Sequence, residues 1–341
     1  MSFELTPYSL PLVSPLTTSY GSIAERRGAL VSLREGELVG WGDASPMPGW
    51  SAHPLDEVRG HLLASGDRLG SESVDHVLDA LGFVPEARAA LAGAALDLSA
   101  QQHGVPLAAY LDDAAAERVR VNASLGAAPA ELLAAEARLA VAAGFTALKL
   151  KVGAGTPADD IERVAAVRRA VGGDIEVRLD ANGAWDVPTA LRTLEQVVDE
   201  GISFCEEPVS GIDALAAVGA ESPIPIAVDE SARTVDDIVA ALGTGAIDVV
   251  VVKPQALGGP DLAVRAIRLA HQVGVTVVVT SMIDSAIGVA HAVHVAAVAG
   301  GQVAHGVATS TLFADDVAGS LPVQDGHVLV PTLPGLGVSP R

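Results

Sequence analysis

From about residue 118 onward, apolar runs rich in β-branched residues alternate with alanine-rich segments of helical period. That rhythm leaves few folds open. The runs are RVRVNASLG (118–126), ALKLKVG (147–153), IEVRLDANG (175–183), ISFCEEP (202–208), IPIAVDES (224–231), AIDVVVVKP (246–254), VTVVVTSM (275–282) and VAHGVATS (303–310). Between them lie stretches such as PAELLAAEARLAVAAG, PADDIERVAAVRRAVG and PDLAVRAIRLAHQVG. Pro or Asp sits near their starts and Gly near their ends, as helix boundaries favour. Strands alternating with helices imply a parallel sheet, and eight such units predict a closed α/β barrel, a modified (β/α)8 type. An open doubly wound sheet is the alternative, but no GxGxxG follows the first strand.

The first 117 residues read differently. In GALVSLREGELVGWGDASP, the segments ALVSL and LVGWG flank the turn REGE and predict a β-hairpin. Helical segments follow at roughly 54–66 and 86–103. This half is a smaller α+β domain. The tail SLPVQDGHVLVP predicts another hairpin, around Asp325-Gly326, expected to return to that first domain. The expected organisation is a capping domain over 1–112 with 312–341, and a barrel over 113–311.

Chemistry in a βα barrel belongs at the C-terminal ends of the strands. Five consecutive runs end in charge: Lys151, Asp180, Glu206 or Glu207, Asp229 and Lys253. With Glu206 the intervals are 29, 26, 23 and 24 residues by subtraction, about one βα unit each. Scattered surface charge would not keep that phase. Three carboxylates converging on one mouth repel each other without a cation. Oxygen donors on separate rigid strands suit a hard ion such as Mg²⁺.

The lysines sharpen this. The chain has 21 basic residues, and only Lys149, Lys151 and Lys253 are lysine. Positions i and i+2 of a strand share a face, so Lys149 and Lys151 both point into the barrel, with Lys151 nearer the mouth. A buried lysine beside a divalent cation has its pKa pushed down and serves as a base, which arginine cannot do.

The segments KLK, RLDANGAW, CEEP, VDES and VVVKPQALGG, spread over the whole barrel half, together resemble the enolase superfamily, specifically its muconate lactonising branch. The resemblance implies Asp180, Glu206 and Asp229 as Mg²⁺ ligands, with Mn²⁺ the other possible ion. It implies Lys151 as acid/base on one face of the substrate and Lys253 on the other. Further toward the N-terminus, LREGELVGWGDASPMPGWS resembles the capping segment of o-succinylbenzoate synthases, with Gly42-Asp43 where Gly-Glu is usual. Arg26 matches an arginine common in that pattern and is expected to meet a substrate carboxylate.

The remaining candidates carry a bland reading beside the functional one. Lys149 either shapes the electrostatics around Lys151 or touches substrate. Asn182 binds substrate or caps the helix that follows. Ser281 precedes a helix whose N-terminus suits a carboxylate, or merely caps it. Trp50 is a capping-loop contact or ordinary packing. His291 and His294, three apart on an alanine-rich segment, read as core or helix surface because no third metal ligand falls in phase.

The expected activity is that of an o-succinylbenzoate synthase-like dehydratase, a menaquinone-pathway lyase that begins by Mg²⁺-assisted removal of a proton α to a carboxylate. The alternatives are N-succinylamino acid racemase, dipeptide epimerase and muconate-type cycloisomerase, or, from another class, a non-catalytic metal-stabilised binding protein. The partner is a small-molecule carboxylate. A net charge of −21 disfavours nucleic acid and anionic membrane. The single cysteine, Cys205, rules out an internal disulfide framework. The start lacks a basic signal-peptide segment, and no run reaches about 18 uncharged apolar residues. A cytoplasmic protein is expected.

The acidic excess fits either adaptation to high salt or a GC-rich codon bias. Under salt adaptation, the melting temperature should rise between low and molar KCl as self-repulsion is screened. A flat or falling melting curve assigns the bias to codon usage.

Overall fold

The structure, a computed structural model, describes residues 1–18 and 21–341. The N-terminal part is a three-stranded antiparallel meander, in the order β1 (Ser2–Thr18), β2 (Gly21–Glu35) and β3 (Leu38–Ala44). The hairpin between β2 and β3 turns at Gly36, whose φ of 60° is open to glycine without a Cβ penalty. The strand β1 was not anticipated: Pro7, Pro11 and Pro15 interrupt its apolar pattern. It is tolerated because β1 is an edge strand, where a missing N–H costs no ladder bond.

Helices α1 (Leu55–Arg68), α2 (Val74–Ala80) and α3 (Pro85–His103) bury Val58, Leu62, Val77 and Leu91 against Val31 and Leu33 of the sheet. Short helix α4 (Leu107–Leu111) leads out of the cap. The sequence anticipates α1 and α3 within two residues; α2 and α4 are too short for their period to register. Gly40 and Gly42 let β3 lie directly on α3. A Cβ at Gly42 would collide with the carbonyl oxygen of Ala90, and one at Gly40 with that of Ala94.

The first barrel run splits between two partners. Strand β4 (Arg118–Arg120) takes the tail hairpin, while β5 (Ala123–Leu125) starts a parallel sheet. The sheet continues through β6 (Ala147–Lys151), β7 (Glu176–Asp180), β8 (Ile202–Glu206), β9 (Ile226–Val228), β10 (Val249–Val252) and β11 (Thr276–Val279). Between and after them run α5 (Ala130–Ala142), α6 (Pro157–Val171), α7 (Val187–Gln196), α8 (Ile212–Glu221), α9 (Val235–Gly243), α10 (Pro254–Leu257), α11 (Pro260–Gln272) and α12 (Ala286–Ala299). The expected start signals hold: Pro157 and Pro260 open their helices, and Asp186 caps α7 by accepting from Thr189 N–H at 2.8 Å.

The eighth run, 303–310, is not a strand. Among the described residues, His305 and Gly306 alone bridge β11 to the first run, through Val121↔His305 and Thr280↔Gly306. His305 N–H donates to Arg120 O (2.8 Å) and Gly306 N–H to Val279 O (2.8 Å). The His305 ring does what a ladder carbonyl would do, its Nδ1 accepting from Val279 N–H at 2.9 Å. The barrel therefore closes, but over two residues.

Parity then sorts the wall. Leu148, Leu150, Val177, Leu179, Cys205, Val228, Val250 and Val252 face outward into the main core with the helices. The alternate positions form the lumen: Phe204, Ala227, Val249, Val251 and Val278 pack together below the mouth. Arg178 sits over the Phe204 ring at 4.8 Å and donates to Ala304 O at 2.5 Å, plugging the lower end.

The tail hairpin is present as β12 (Val323–Gln324) and β13 (His327–Leu329), but it extends β4 rather than the cap sheet. Residues on either side of it reach the cap, through Leu12↔Phe313 and Pro106↔Gly335. Among the described residues, no helix is long and apolar enough to cross a membrane.

Candidate active site at the barrel mouth

The next lumen layer above the apolar one is charged. Register puts Lys151, Asp180 and Glu206 side by side at the ends of β6, β7 and β8. Asp229 and Lys253 follow directly after β9 and β10. Lys151 and Lys253 stand at opposite ends of the row of three carboxylates.

Lys149 bridges Asp180 Oδ2 and Glu206 Oε1, each at 2.8 Å. Lys151 donates to the same Asp180 Oδ2 at 2.6 Å and to Asn182 Oδ1 at 2.8 Å. Lys253 pairs with Asp229. Burial alone would raise the Asp180 carboxyl, but Lys149 and Lys151 overcome it and hold it well below the usual range. Glu206 goes the other way: burial and the charges of Asp180 and Asp229 push it well up, against Lys149. Burial disfavours the charged forms of Lys149 and Lys253, yet the surrounding carboxylates raise both.

Glu206 and Glu207, inseparable by spacing, part company here. Glu206 points into the lumen. Glu207, at φ 40°, turns away and braces the next loop, accepting from Asp229 N–H at 2.8 Å and from Ser231 Oγ. Burial raises its carboxyl to about 7. Asn182 does not cap α7, since Asp186 does. At φ 46°, it receives Lys151 and donates to Glu230 Oε1 at 2.8 Å.

Among the described residues, no three His, Cys, Asp or Glu side chains are gathered into a ready metal cage. The ammonium groups of Lys149, Lys151 and Lys253 set the spacing of the carboxylates instead. The donor chemistry nevertheless fits a hard cation. The donors are all oxygen, Glu206 is short of positive charge, and the buried Glu230 Oε2 has no hydrogen-bond partner.

Two substrate-binding expectations need correction. Arg26 is 1% exposed, and its guanidinium donates to the carbonyls of Ser45 (2.5 Å), Pro46 (2.9 Å) and Ile283 (3.0 Å). It ties the 45–46 turn to the loop after β11 and is not displayed to a substrate. Ser281 does not start a helix: α12 begins at Ala286, and the Ser281 hydroxyl pairs with Thr309 Oγ1 at 2.8 Å. The N-terminus of α12 holds the protein's own carboxylates. Asp43 takes Ser285 N–H at 3.1 Å, and Asp316 takes Ala286 N–H at 2.9 Å.

Trp50 does reach the mouth. Lys253 Nζ lies 5.4 Å from its ring centre and the Arg233 guanidinium 4.4 Å. Sequence reasoning passed over Glu230, inside the VDES segment, and Arg233, two residues beyond it. Their polar atoms gain meaning only from what the fold lays against them. His291 and His294 are core residues, bonded to Trp41 O (2.8 Å) and Leu336 O (3.0 Å).

A capped βα barrel with lysines and a carboxylate row at the strand ends is the class of architecture in which enzymes keep their chemistry at the mouth. Residues 132–341 match the family model described as "Enolase C-terminal domain-like", and residues 1–81 match "MenC, N-terminal domain". The chain belongs to the enolase superfamily, in its muconate lactonising branch. It is 30% identical to muconate cycloisomerase 1 of Rhodococcus opacus over 99% of this chain and 95% of that one. It is 39% identical to the o-succinylbenzoate synthase of Thermobifida fusca over 53% of this chain and 56% of the relative. The dipeptide epimerase structure from Cytophaga hutchinsonii, complexed with Mg and D-Ala-L-Val, superposes with a TM-score of 0.91 at 28% identity, covering 99% of this chain and 95% of that one.

Proposed function

We propose that the protein is an o-succinylbenzoate synthase-like dehydratase of menaquinone biosynthesis, acting in the cytoplasm. The observation that carries the choice within the branch is the likeness of residues 1–81 to the MenC N-terminal domain, and the identity to a synthase over half the chain agrees with it.

Asp180, Glu206 and Asp229 are the residues that would hold Mg²⁺. A bound ion would supply positive charge to the substrate carboxylate. Lys151, whose side chain is 36% exposed, takes the proton α to that carboxylate. It then returns the proton to the departing hydroxyl, which leaves as water. Lys253, 13% exposed and set against Trp50, stays protonated and faces the charge that develops on the carboxylate. Asn182 orients Lys151, Lys149 holds Asp180 ionised and opposes the rise at Glu206, and Trp50 walls the apolar part of the substrate.

A second reading, racemisation or epimerisation of an N-acylated amino acid or dipeptide, draws on the same pair of lysines. One assay separates them. The purified enzyme, stripped with EDTA, should be inactive and should regain dehydration of the o-succinylbenzoate precursor on addition of Mg²⁺. Racemisation of N-succinylamino acids with no dehydration would overturn the synthase reading. Full activity without metal would overturn the assignment of Asp180, Glu206 and Asp229.

A further inference from the structure

A second buried acidic pair lies at the seam between cap and barrel. A cavity of about 20 Å³ there is lined by Asp43 of β3, Gln255 of α10, Asp284 in the loop before α12 and His291 on α12, among others. That is room for one water molecule. His291 gives its Nε2–H to Trp41 O, and burial depresses its pKa, so the ring is neutral and Nδ1 is a lone pair. This buried Nδ1 has no protein partner.

The hydrogen atoms around the carboxylates can be counted. Asp43 accepts from Tyr8 Oη–H (2.7 Å), Ser285 N–H (3.1 Å) and Ser285 Oγ–H (2.9 Å). Asp284 Oδ2 accepts from Met282 N–H at 3.1 Å. Ser45 Oγ stands 3.3 Å from Asp43 Oδ2 and 3.2 Å from Asp284 Oδ1, while receiving Gln255 Nε2–H at 2.7 Å. A hydroxyl has one hydrogen and two lone pairs, so it cannot donate to both carboxylates. For both contacts to be hydrogen bonds, one of the two carboxyls must bring a hydrogen of its own. Asp43, with three other donors aimed at it, is the anion.

We propose that Asp284 carries a proton and donates it to Ser45 Oγ, so that a chain Asp284–Ser45–Asp43 latches the cap to the barrel. The cavity then takes one water, which donates to His291 Nδ1. The other charged groups facing the pair do not supply the missing hydrogen. Tyr8 already donates to Asp43, Asp316 holds Ala286 N–H, and Arg26 spends its bonds on backbone carbonyls, although its charge works against a proton on Asp284. Asp97 lies behind His291 and accepts from Trp41 N–H and Gln101. Burial raises both carboxyls, and the value of about 7 at Asp43 includes repulsion from an ionised Asp284, so the shifts bear on the pair and not on which member is protonated. The pair thus retains one proton up to about neutral pH; the donor count decides which carboxyl carries it.

The pair's carboxyl pKa is higher folded than unfolded, so its contribution to stability is complete below the ordinary carboxylate range and is lost as pH rises to about 7. Asp284→Asn copies the protonated acid: its amide donates to Ser45 and its oxygen still accepts from Met282. Relative to the wild type, its unfolding constant should improve by about tenfold per pH unit between roughly 4 and 7, then run parallel. Asp43→Asn should weaken the fold at every pH, because the donors aimed at Asp43 lose their anion. Parallel profiles for Asp284→Asn and wild type would overturn the proposal, as would Asp43→Asn being the variant that gains at pH 8. A wild type whose stability at pH 8 depends on Na⁺ rather than on protons would mean that a cation sits there instead. Should a variant not fold, infrared spectra of ¹³C-aspartate-labelled wild type decide. A protonated aspartate band at pH 6.5 is expected, and its absence refutes the latch.

Discussion

Lys151→Arg is expected to eliminate dehydration, while Lys253→Arg leaves a measurable remnant. Arginine at 151 still reaches Asp180 and keeps the charge balance that sets the carboxylate pKa values, but it cannot give up a proton. The loss should be on the order of 10²–10⁴-fold or more in kcat, the usual weight of general acid–base catalysis. At position 253 the role is a standing positive charge beneath Trp50, which a guanidinium retains. The measurement is turnover of both variants on the synthase substrate and on N-succinylamino acids. If both variants lose racemisation and the wild type racemises, each lysine serves one face of a stereocentre, as in an epimerase. Appreciable dehydration by Lys151→Arg would take the base away from Lys151.

The second large effect lies in the cap and leaves the chemistry untouched. Gly42→Ala would drive a methyl group into the Ala90 carbonyl of α3, backbone that cannot step aside. Overpacking of this kind costs about 3 kcal/mol, and the melting temperature should fall by several degrees. Gly60→Ala, in the body of α1 with nothing near its added carbon, is the control. It should be neutral or stabilising, by up to about 1 kcal/mol, because alanine is the better helix former. Equal melting temperatures for the two variants would show that β3 does not rest on α3 as described.

The sequence discloses most of the barrel because the wall strands are short, mostly apolar and followed by helices, several with their own Pro, Asp or Gly signals. It also discloses the charged layer, since Lys151, Asp180, Glu206, Asp229 and Lys253 recur once per unit. Spacing does not separate Glu206 from Glu207; the left-handed backbone at Glu207 does, and φ is not written in composition. Arg26 and Ser281 were misread for a related reason. Both are polar residues beside motif segments, and their partners (Pro46 and Ile283 for one, Thr309 for the other) include positions far away in the chain. Strand β1 stayed hidden because proline masks an edge strand that tertiary pairing accepts. The seam between cap and barrel was invisible throughout, since Asp43 and Asp284 are 241 positions apart by subtraction and meet only when both halves are folded.

The two-residue closure at His305 and Gly306 has a consequence for how such an enzyme can change. A full eighth strand would pin residues 303–310 flat between two neighbours, and any substitution there would be read by the whole ladder. With pairing confined to two residues, the chain climbs off the wall at once and becomes a strut: Thr309 touches Ser281 at the rim, and Ala314 N–H reaches Pro11 O in the cap at 3.1 Å. Insertions or replacements between 308 and 312, bounded by the buried Val307 and Phe313, can therefore alter the path from rim to cap while the ring stays shut. Substrate preference can drift along that strut without a toll on the barrel beneath it.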